Sequence, residues 1–279
     1  MRIIQAAAVT ETVARLCIEA NQNLPADVRA CIEKGLKEEP SPVAKEILER
    51  ITENYLLAEE RNVPICQDTG MACVFIELGQ DVHIEGDINA AVHEGVRRGY
   101  TEGYLRKSVV RDPLDRVNTG DNTPAMIYWD IVPGDKLKIT VAPKGFGSEN
   151  MSRIKMLKPS DGVEGVKSFI VDTVSEAGPN PCPPVVIGVG IGGTFDKAAL
   201  LAKKALLRPC GSHNPDPFYA ALEDELLMRI NALGIGPQGF GGKTTALSLQ
   251  IEKTATHIAG LPVAVNVNCH VTRHQTEVL

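Results

Sequence analysis

The sequence predicts an α/β chain of the mixed α+β kind, a helical N-terminal layer followed by a mixed sheet flanked by helices. Two observations carry this reading. Residues 1–62 place apolar side chains at helical spacing, and from residue 63 short β-type runs alternate with helical ones. At 279 residues the chain can bury a full core, and 43% apolar with 23% charged residues is ordinary for a globular protein. Only 4% of residues are aromatic, so Val, Ile, Leu and Ala must build that core. The expectation is a single domain over residues 1–279, with 1–62 as the helical layer and 63–279 as the mixed α/β part.

Val9, Val13, Leu16 and Ala20 fall on one helical face. Asp27 is placed to cap a second helix carrying Val28, Ile32 and Leu36. Ser41-Pro42 reads as an N-cap and first-turn proline for a third, with Val43, Ile47, Ile51 and Tyr55 on its apolar side. Met71–Leu78 is expected as a strand, and Asp87 caps a helix with Ile88, Val92 and Val96. Residues 125–132 and 136–142 read as strands joined at Pro133-Gly134-Asp135. A loop at 145–150, a helix at 162–176, a buried strand at 185–189, helices near 197–207 and 217–233, a glycine-rich loop at 234–243 and a last strand at 263–267 complete the chain.

The net charge of −6 argues against non-specific nucleic-acid binding but leaves room for a local cationic pocket. No run approaches ~18 uninterrupted apolar residues, so no membrane span is expected, and the N-terminus does not read as a signal peptide. Seven dispersed cysteines fit reduced thiols and a cytoplasmic setting better than a secreted disulfide scaffold.

Three cysteines sit in glycine-, proline- or polar-rich turns. Cys66 lies in Pro64-Ile-Cys-Gln-Asp-Thr-Gly70, Cys182 in Pro179-Asn-Pro-Cys-Pro-Pro184, and Cys269 in Asn266-Val-Asn-Cys-His-Val271. Three thiolates leave a four-iron cluster one protein ligand short, and such an iron can serve as a Lewis acid on substrate. None forms a C-x-x-C pair, which weakens a zinc ribbon or thioredoxin-like site. Cys17 and Cys31 lie on or beside apolar stripes and read as small buried hydrophobes, while Cys73 and Cys210 read as structural or surface thiols.

Two glycine-rich segments imitate nucleotide motifs. Gly188-Val-Gly-Ile-Gly-Gly193 has the dinucleotide spacing but comes late in the chain, without the acidic strand end about 20 residues on. A glycine turn approaching an anion, or a purely structural turn, is the competing reading. Gly239-Phe-Gly-Gly-Lys-Thr-Thr245 resembles a phosphate loop, but Pro237 stands where the motif needs glycine. Lys243 is either an anion-pocket residue or a solvated one. Arg106, followed by Lys107, Arg111 and Arg116, suits bidentate capture of a carboxylate; the competing reading is a surface arginine. His257 alone is either a functional or a satisfied structural histidine.

Taken together, Pro64–Gly70, Lys144-Gly-Phe-Gly-Ser-Glu-Asn150, Gly188–Thr194, Gly239–Thr245 and His257-Ile-Ala-Gly-Leu-Pro262 resemble the class I, iron–sulfur-dependent fumarate hydratases, as the α subunit of the two-subunit form. The related L(+)-tartrate dehydratase α subunit shows the same pattern. The resemblance covers nearly the whole chain. It implies that Cys66, Cys182 and Cys269 hold a [4Fe-4S] cluster. It also implies that Gln67, Asp68, Arg106, His257 and, through a variable loop, Gly147 surround a dicarboxylate. Asp68 and His257 would then be catalytic, and Gln67, Arg106 and Gly147 substrate-binding. The implied activity is a hydro-lyase interconverting fumarate and (S)-malate, with tartrate dehydration as the alternative. A separate β subunit would complete the active site in a hetero-oligomer. A non-catalytic nucleotide-binding module and a zinc protein are the readings from other classes.

Overall fold

The computed structural model describes residues 1–279. The elements run β1 Arg2–Gln5, α1 Ala6–Gln22, α2 Ala26–Glu38, α3 Pro42–Arg61, β2 Met71–Gly79, β3 Val82–Glu85, α4 Ile88–Glu102, β4 Met126–Val132, β5 Leu137–Lys144, β6 Arg153–Leu157, α5 Gly162–Ala177, β7 Val185–Gly193, α6 Phe195–Ala205, α7 Pro217–Asn231, β8 Ala246–Thr256, β9 Leu261–Asn268 and β10 Gln275–Val278. The mixed α/β class is as the sequence predicts. No helix is long and apolar enough to cross a membrane.

The chain divides into two compact units, each assembled from separated segments. The first comprises residues 1–25, 55–146 and 273–279, and the second residues 26–54 and 147–272. The helical stretch 1–62, expected as one layer, is thus shared: α1 belongs to the first unit and α2 to the second.

In the first unit a sheet of order β10-β5-β2-β4 pairs β2 parallel to β4 and antiparallel to β5. β4 and β5 are joined at Pro133-Gly134-Asp135 as expected, yet β2 lies between them, so they form no hairpin. Helix α1 packs on α4 and on β5, and Val9, Val13 and Leu16 meet Val92, Val96, Leu137, Ile139 and Val141 in one core. Asp87 caps α4 by accepting the Ala90 N–H at 3.0 Å. The two short strands β1 and β3 pair in parallel.

In the second unit the sheet order is β6-β9-β7-β8. Successive β7 residues face opposite sides. Ile187 and Val189 pack with Ile170, Val174, Leu226 and Ile230 of α5 and α7. Gly188 and Gly190 face α6: a Cβ there would stand 2.1 Å from the Ala202 and Ala198 carbonyls, respectively. These glycines therefore sit inside a strand and let a helix backbone touch it. The expectation of a ligand-approaching turn at these two positions is corrected on that ground.

Two helix details also differ from expectation. Asp27 lies within the first turn of α2, not at its cap, and its carboxylate accepts the backbone N–H of Cys210. Ser41 does cap α3, accepting from Ala44 N at 3.4 Å, but the buried face runs through Ala44, Leu48, Ile51 and Tyr55, leaving Val43 exposed. Strands β1, β3, β6, β8 and β10 were not expected from the sequence. The short ones carry too few residues for a period, and β8 follows a glycine-rich loop and ends in exposed polar residues.

Candidate functional site

The first unit carries Cys66, Gln67, Asp68 and Arg106. Their turn follows α3 and enters β2, and its carbonyls are gripped from several directions. Tyr100, fully buried, donates its hydroxyl to the Thr69 and Gly70 carbonyls at 2.7 and 3.0 Å. Burial pushes the Tyr100 phenol well above its ordinary range, so it remains a donor. Asn122 Nδ2 donates to the Gly70 carbonyl at 3.1 Å, and Arg273 Nη2 to that of Asp68. Gly70 adopts φ +75°, and a Cβ there would lie 2.8 Å from the Lys144 backbone, so glycine is required.

Both carboxylate oxygens of Asp68 are oriented. Oδ1 accepts the Gly70 N–H at 3.0 Å and Oδ2 accepts the Phe146 N–H at 3.0 Å. The Asp68 N–H in turn points at the Cys66 sulfur at 3.4 Å, a partner for negative charge on that atom. Thr69 Oγ1 donates to the Arg106 carbonyl at 2.8 Å. The Arg106 and Gln67 side chains are exposed, so their polar ends can reach a ligand. Arg111 and Arg116 are also exposed.

The second unit carries Gly147, Cys182, Cys269 and His257. Cys182 stands two prolines before β7 and Cys269 immediately follows β9; Val186 pairs with Asn268, so the two cysteines share one end of the sheet. His270, next to Cys269, contacts the Cys182 carbonyl twice: through its backbone N–H at 3.5 Å and through ring Nδ1 at 2.9 Å. Gln238 of the glycine-rich loop binds the same junction, donating from its backbone N at 2.7 Å and from Nε2 at 2.8 Å to the Pro183 carbonyl. Gly147 lies in a one-turn helix, Phe146–Glu149, where a loop was expected, and Glu149 anchors it, accepting from Lys203 Nζ at 2.7 Å and from Asn266 Nδ2 at 2.6 Å. Gly147 is exposed, with its nearest neighbour 4.0 Å from a Cβ position.

His257 is not brought together with these cysteines within the unit. It occupies the connection from β8 to β9, where Ala259 N donates to its Nδ1 at 3.2 Å, while Cys269 follows the other end of β9. Eight strand residues at ~3.4 Å each separate the two by roughly 25 Å.

The phosphate-loop imitation is occupied from within. Glu39, 1% exposed, accepts from Lys243 N at 2.9 Å, Thr244 N at 2.7 Å, Thr244 Oγ1 at 2.6 Å and Ser41 N at 3.2 Å. The amides that would cradle a phosphate already hold a carboxylate. The Lys243 side chain is exposed, 3.9 Å from Glu38. Neither glycine-rich segment therefore supports the nucleotide-binding reading.

Sequence reasoning missed Gln238, Glu39, Tyr100, Asn122 and Arg273. The motif Gly239–Thr245 drew attention to its glycines, and Gln238 stands just outside it. Arg273 is 4% exposed, and its Nε and Nη1 have no hydrogen-bond partner, which no local pattern signals.

The three cysteines fit an iron–sulfur ligand set in kind. Thiolates are the donors such clusters take, all seven cysteines are thiols, and Cys66, Cys182 and Cys269 each retain exposed surface on loops. Within neither unit do three or more His, Cys, Asp or Glu side chains converge as a metal-ion site.

Comparison with known proteins finds relatives that span most of the chain. A protein of Methanocaldococcus jannaschii named "Putative L(+)-tartrate dehydratase subunit alpha" is 45% identical over 272 residues, covering 95% of each chain. The L(+)-tartrate dehydratase subunit alpha of Escherichia coli is 37% identical over 272 residues, covering 96% of this chain and 89% of its own. That of Shigella sonnei is 36% identical over the same length. Residues 10–278 match the profile described as Fumarate hydratase (Fumerase), and the chain belongs to this family of hydro-lyases.

Proposed function

We propose that the chain is the α subunit of an iron–sulfur hydro-lyase that removes water from a 2-hydroxy dicarboxylate. The substrate pair in this reading is (S)-malate and fumarate. The observation that supports it is the junction at one end of the second sheet, where His270 and Gln238 hold the Cys182 and Cys269 loops together. Cys66, Cys182 and Cys269 would hold a [4Fe-4S] cluster. When bound, that cluster supplies a Lewis-acidic iron for a hydroxyl and a carboxylate oxygen.

The chain's own residues supply the rest. Removing a weakly acidic proton beside a carboxylate needs a fixed base, and Asp68 has both oxygens aligned by backbone N–H groups. Each oxygen keeps a further lone pair for the proton. Arg106 presents a guanidinium fork to the carboxylate that gains charge as the proton leaves. Gln67 and the backbone at Gly147 add donors along the substrate. His257 is assigned the role of orienting a carboxylate. A separate β subunit contributes further basic residues and a hydroxyl group that works with Asp68.

L(+)-tartrate is the second substrate reading, favoured by the names of the relatives. Steady-state assays of the anaerobically purified complex, with the β partner co-expressed, decide between them. Turnover of (S)-malate to fumarate is expected, and preference for L(+)-tartrate would establish the second reading. Absence of turnover on both by iron-loaded complex would overturn the assignment.

A further inference from the structure

The sequence gives no reason to connect Cys31 with Cys210. Within the second unit they line the same cavity of about 430 Å³, together with Lys34, His213 and Lys243. The Cys31 sulfur reaches the backbone beside its partner: a Cβ on Gly211 would lie only 3.3 Å from it. Both residues are half-buried, so each is held by packing yet reachable through the cavity.

The segment around Cys210 is fixed in place. The Cys210 N–H donates to Asp27, one helical turn before Cys31 on α2, and the Gly211 N–H donates to Ser248 Oγ at 3.1 Å. Arg208 Nη1 pairs with the buried Glu223 at 2.8 Å. The Cys31 sulfur thus lies against the backbone segment that carries Cys210.

We propose that Cys31 and Cys210 are a dithiol oxidation site, converted to a reversible disulfide by hydrogen peroxide. The Cys31 sulfur attacks one peroxide oxygen, the O–O bond breaks, and the other oxygen leaves with a proton as water. Cys31 is then a sulfenic acid. The Cys210 sulfur attacks the Cys31 sulfur, the S–O bond breaks, and the oxygen departs as a second water with the Cys210 proton. The peroxide gains the two electrons that the thiols lose. The order of attack has a physical basis. The hydrogen bond from Cys210 holds the Cys31 thiol below its ordinary range, with Lys34 acting in the same direction against burial and the Asp27 charge. The same bond, with burial, pushes Cys210 up and keeps its proton in place for the second step.

The site is independent of the proposed cluster, because neither residue belongs to its ligand set. The test uses the full chain, purified anaerobically, treated briefly with hydrogen peroxide, alkylated without reductant and mapped by peptide mass spectrometry. A peptide pair joining Cys31 to Cys210, lighter by two hydrogen atoms and separated by dithiothreitol, is expected as the main product at these positions. In Cys210→Ser the Cys31 sulfenic acid should accumulate and be trapped by dimedone, and circular dichroism of the variant checks its fold. Recovery of both residues as alkylated thiols after treatment, or pairing of Cys31 with any other cysteine, would overturn the proposal.

Discussion

Thr69 Oγ1 donates to the Arg106 carbonyl at 2.8 Å, so the turn that carries Asp68 and the loop that carries Arg106 are held as one piece. Thr69 is 2% exposed and needs that partner. Thr69→Val should therefore destabilise the fold by about 1–3 kcal/mol through the orphaned carbonyl. It should also lower kcat/KM for the dicarboxylate, although the residue touches no substrate. Thermal denaturation and steady-state kinetics of the complex measure the two effects; unchanged kinetics would show that the tie positions nothing.

The proposed roles predict different kinetic signatures. Asp68→Asn replaces an acceptor with an amide, and turnover should fall by ~10²–10⁴-fold with a smaller change in KM. Arg106→Lys keeps the charge and loses the fork, so binding should weaken by about 1–3 kcal/mol. His257→Asn should alter kcat and KM together if it orients a carboxylate. Wild-type kinetics in that variant would remove His257 from the mechanism.

Cysteine-to-serine replacement sorts the thiols. Loss of Cys66, Cys182 or Cys269 should abolish iron and sulfide retention, measured on anaerobically purified protein. Loss of Cys17, Cys31, Cys73 or Cys210 should leave both near wild type. Cys17 is fully buried, and burial pushes its thiol up to about 12, which removes it from thiolate chemistry at neutral pH. Full iron in Cys182→Ser would contradict the ligand set.

Glu39 predicts a pH-dependent contribution to stability. Burial alone would raise its carboxyl, but the hydrogen bonds from Thr244, Lys243 and Ser41 outweigh it and hold the group below its ordinary range. A depressed folded value stabilises above the unfolded value, about 4.3, and that contribution is lost as pH falls through the folded value. Glu39→Gln should be less stable than wild type by about 1–3 kcal/mol at neutral pH, with the gap narrowing below pH ~4.3. Denaturant titrations at several pH values test the sign; a gap that widens in acid would refute it.

Two glycines separate packing from ligand approach. Gly190→Ala would drive a Cβ to 2.1 Å from the Ala198 carbonyl and should destabilise by about 3 kcal/mol or more. Gly147→Ala meets open space, so its stability should hold while activity drops if substrate approaches that backbone. Melting temperatures of the two variants beside kinetics of the second provide the comparison.

Long amphipathic elements were legible in the sequence. Val9, Val13 and Leu16 mark α1, Asp87 marks the start of α4, and alternation at Leu137, Ile139 and Val141 marks β5. Three loop cysteines were legible as candidates, since each stands among residues that break regular structure. What stayed hidden depends on distant partners. Glu39 looks like one more acid at the end of a charged helix until Lys243 and Thr244 arrive. Gly188 and Gly190 look like a turn until α6 shows what their missing side chains admit. The division into two units was illegible because each is stitched from segments far apart along the chain.

The carboxylate of Glu39 makes the glycine-rich loop a receptor whose guest is tethered to it. A free phosphate must compete with an anion at very high effective concentration, one that diffusion never carries away. Raising nucleotide concentration therefore does little to open the loop, whereas a single neutralising change at Glu39 vacates it. A sequence search tuned to glycine spacing will keep returning such self-filled loops. A buried acid far away in sequence is the feature that tells them from loops awaiting a ligand.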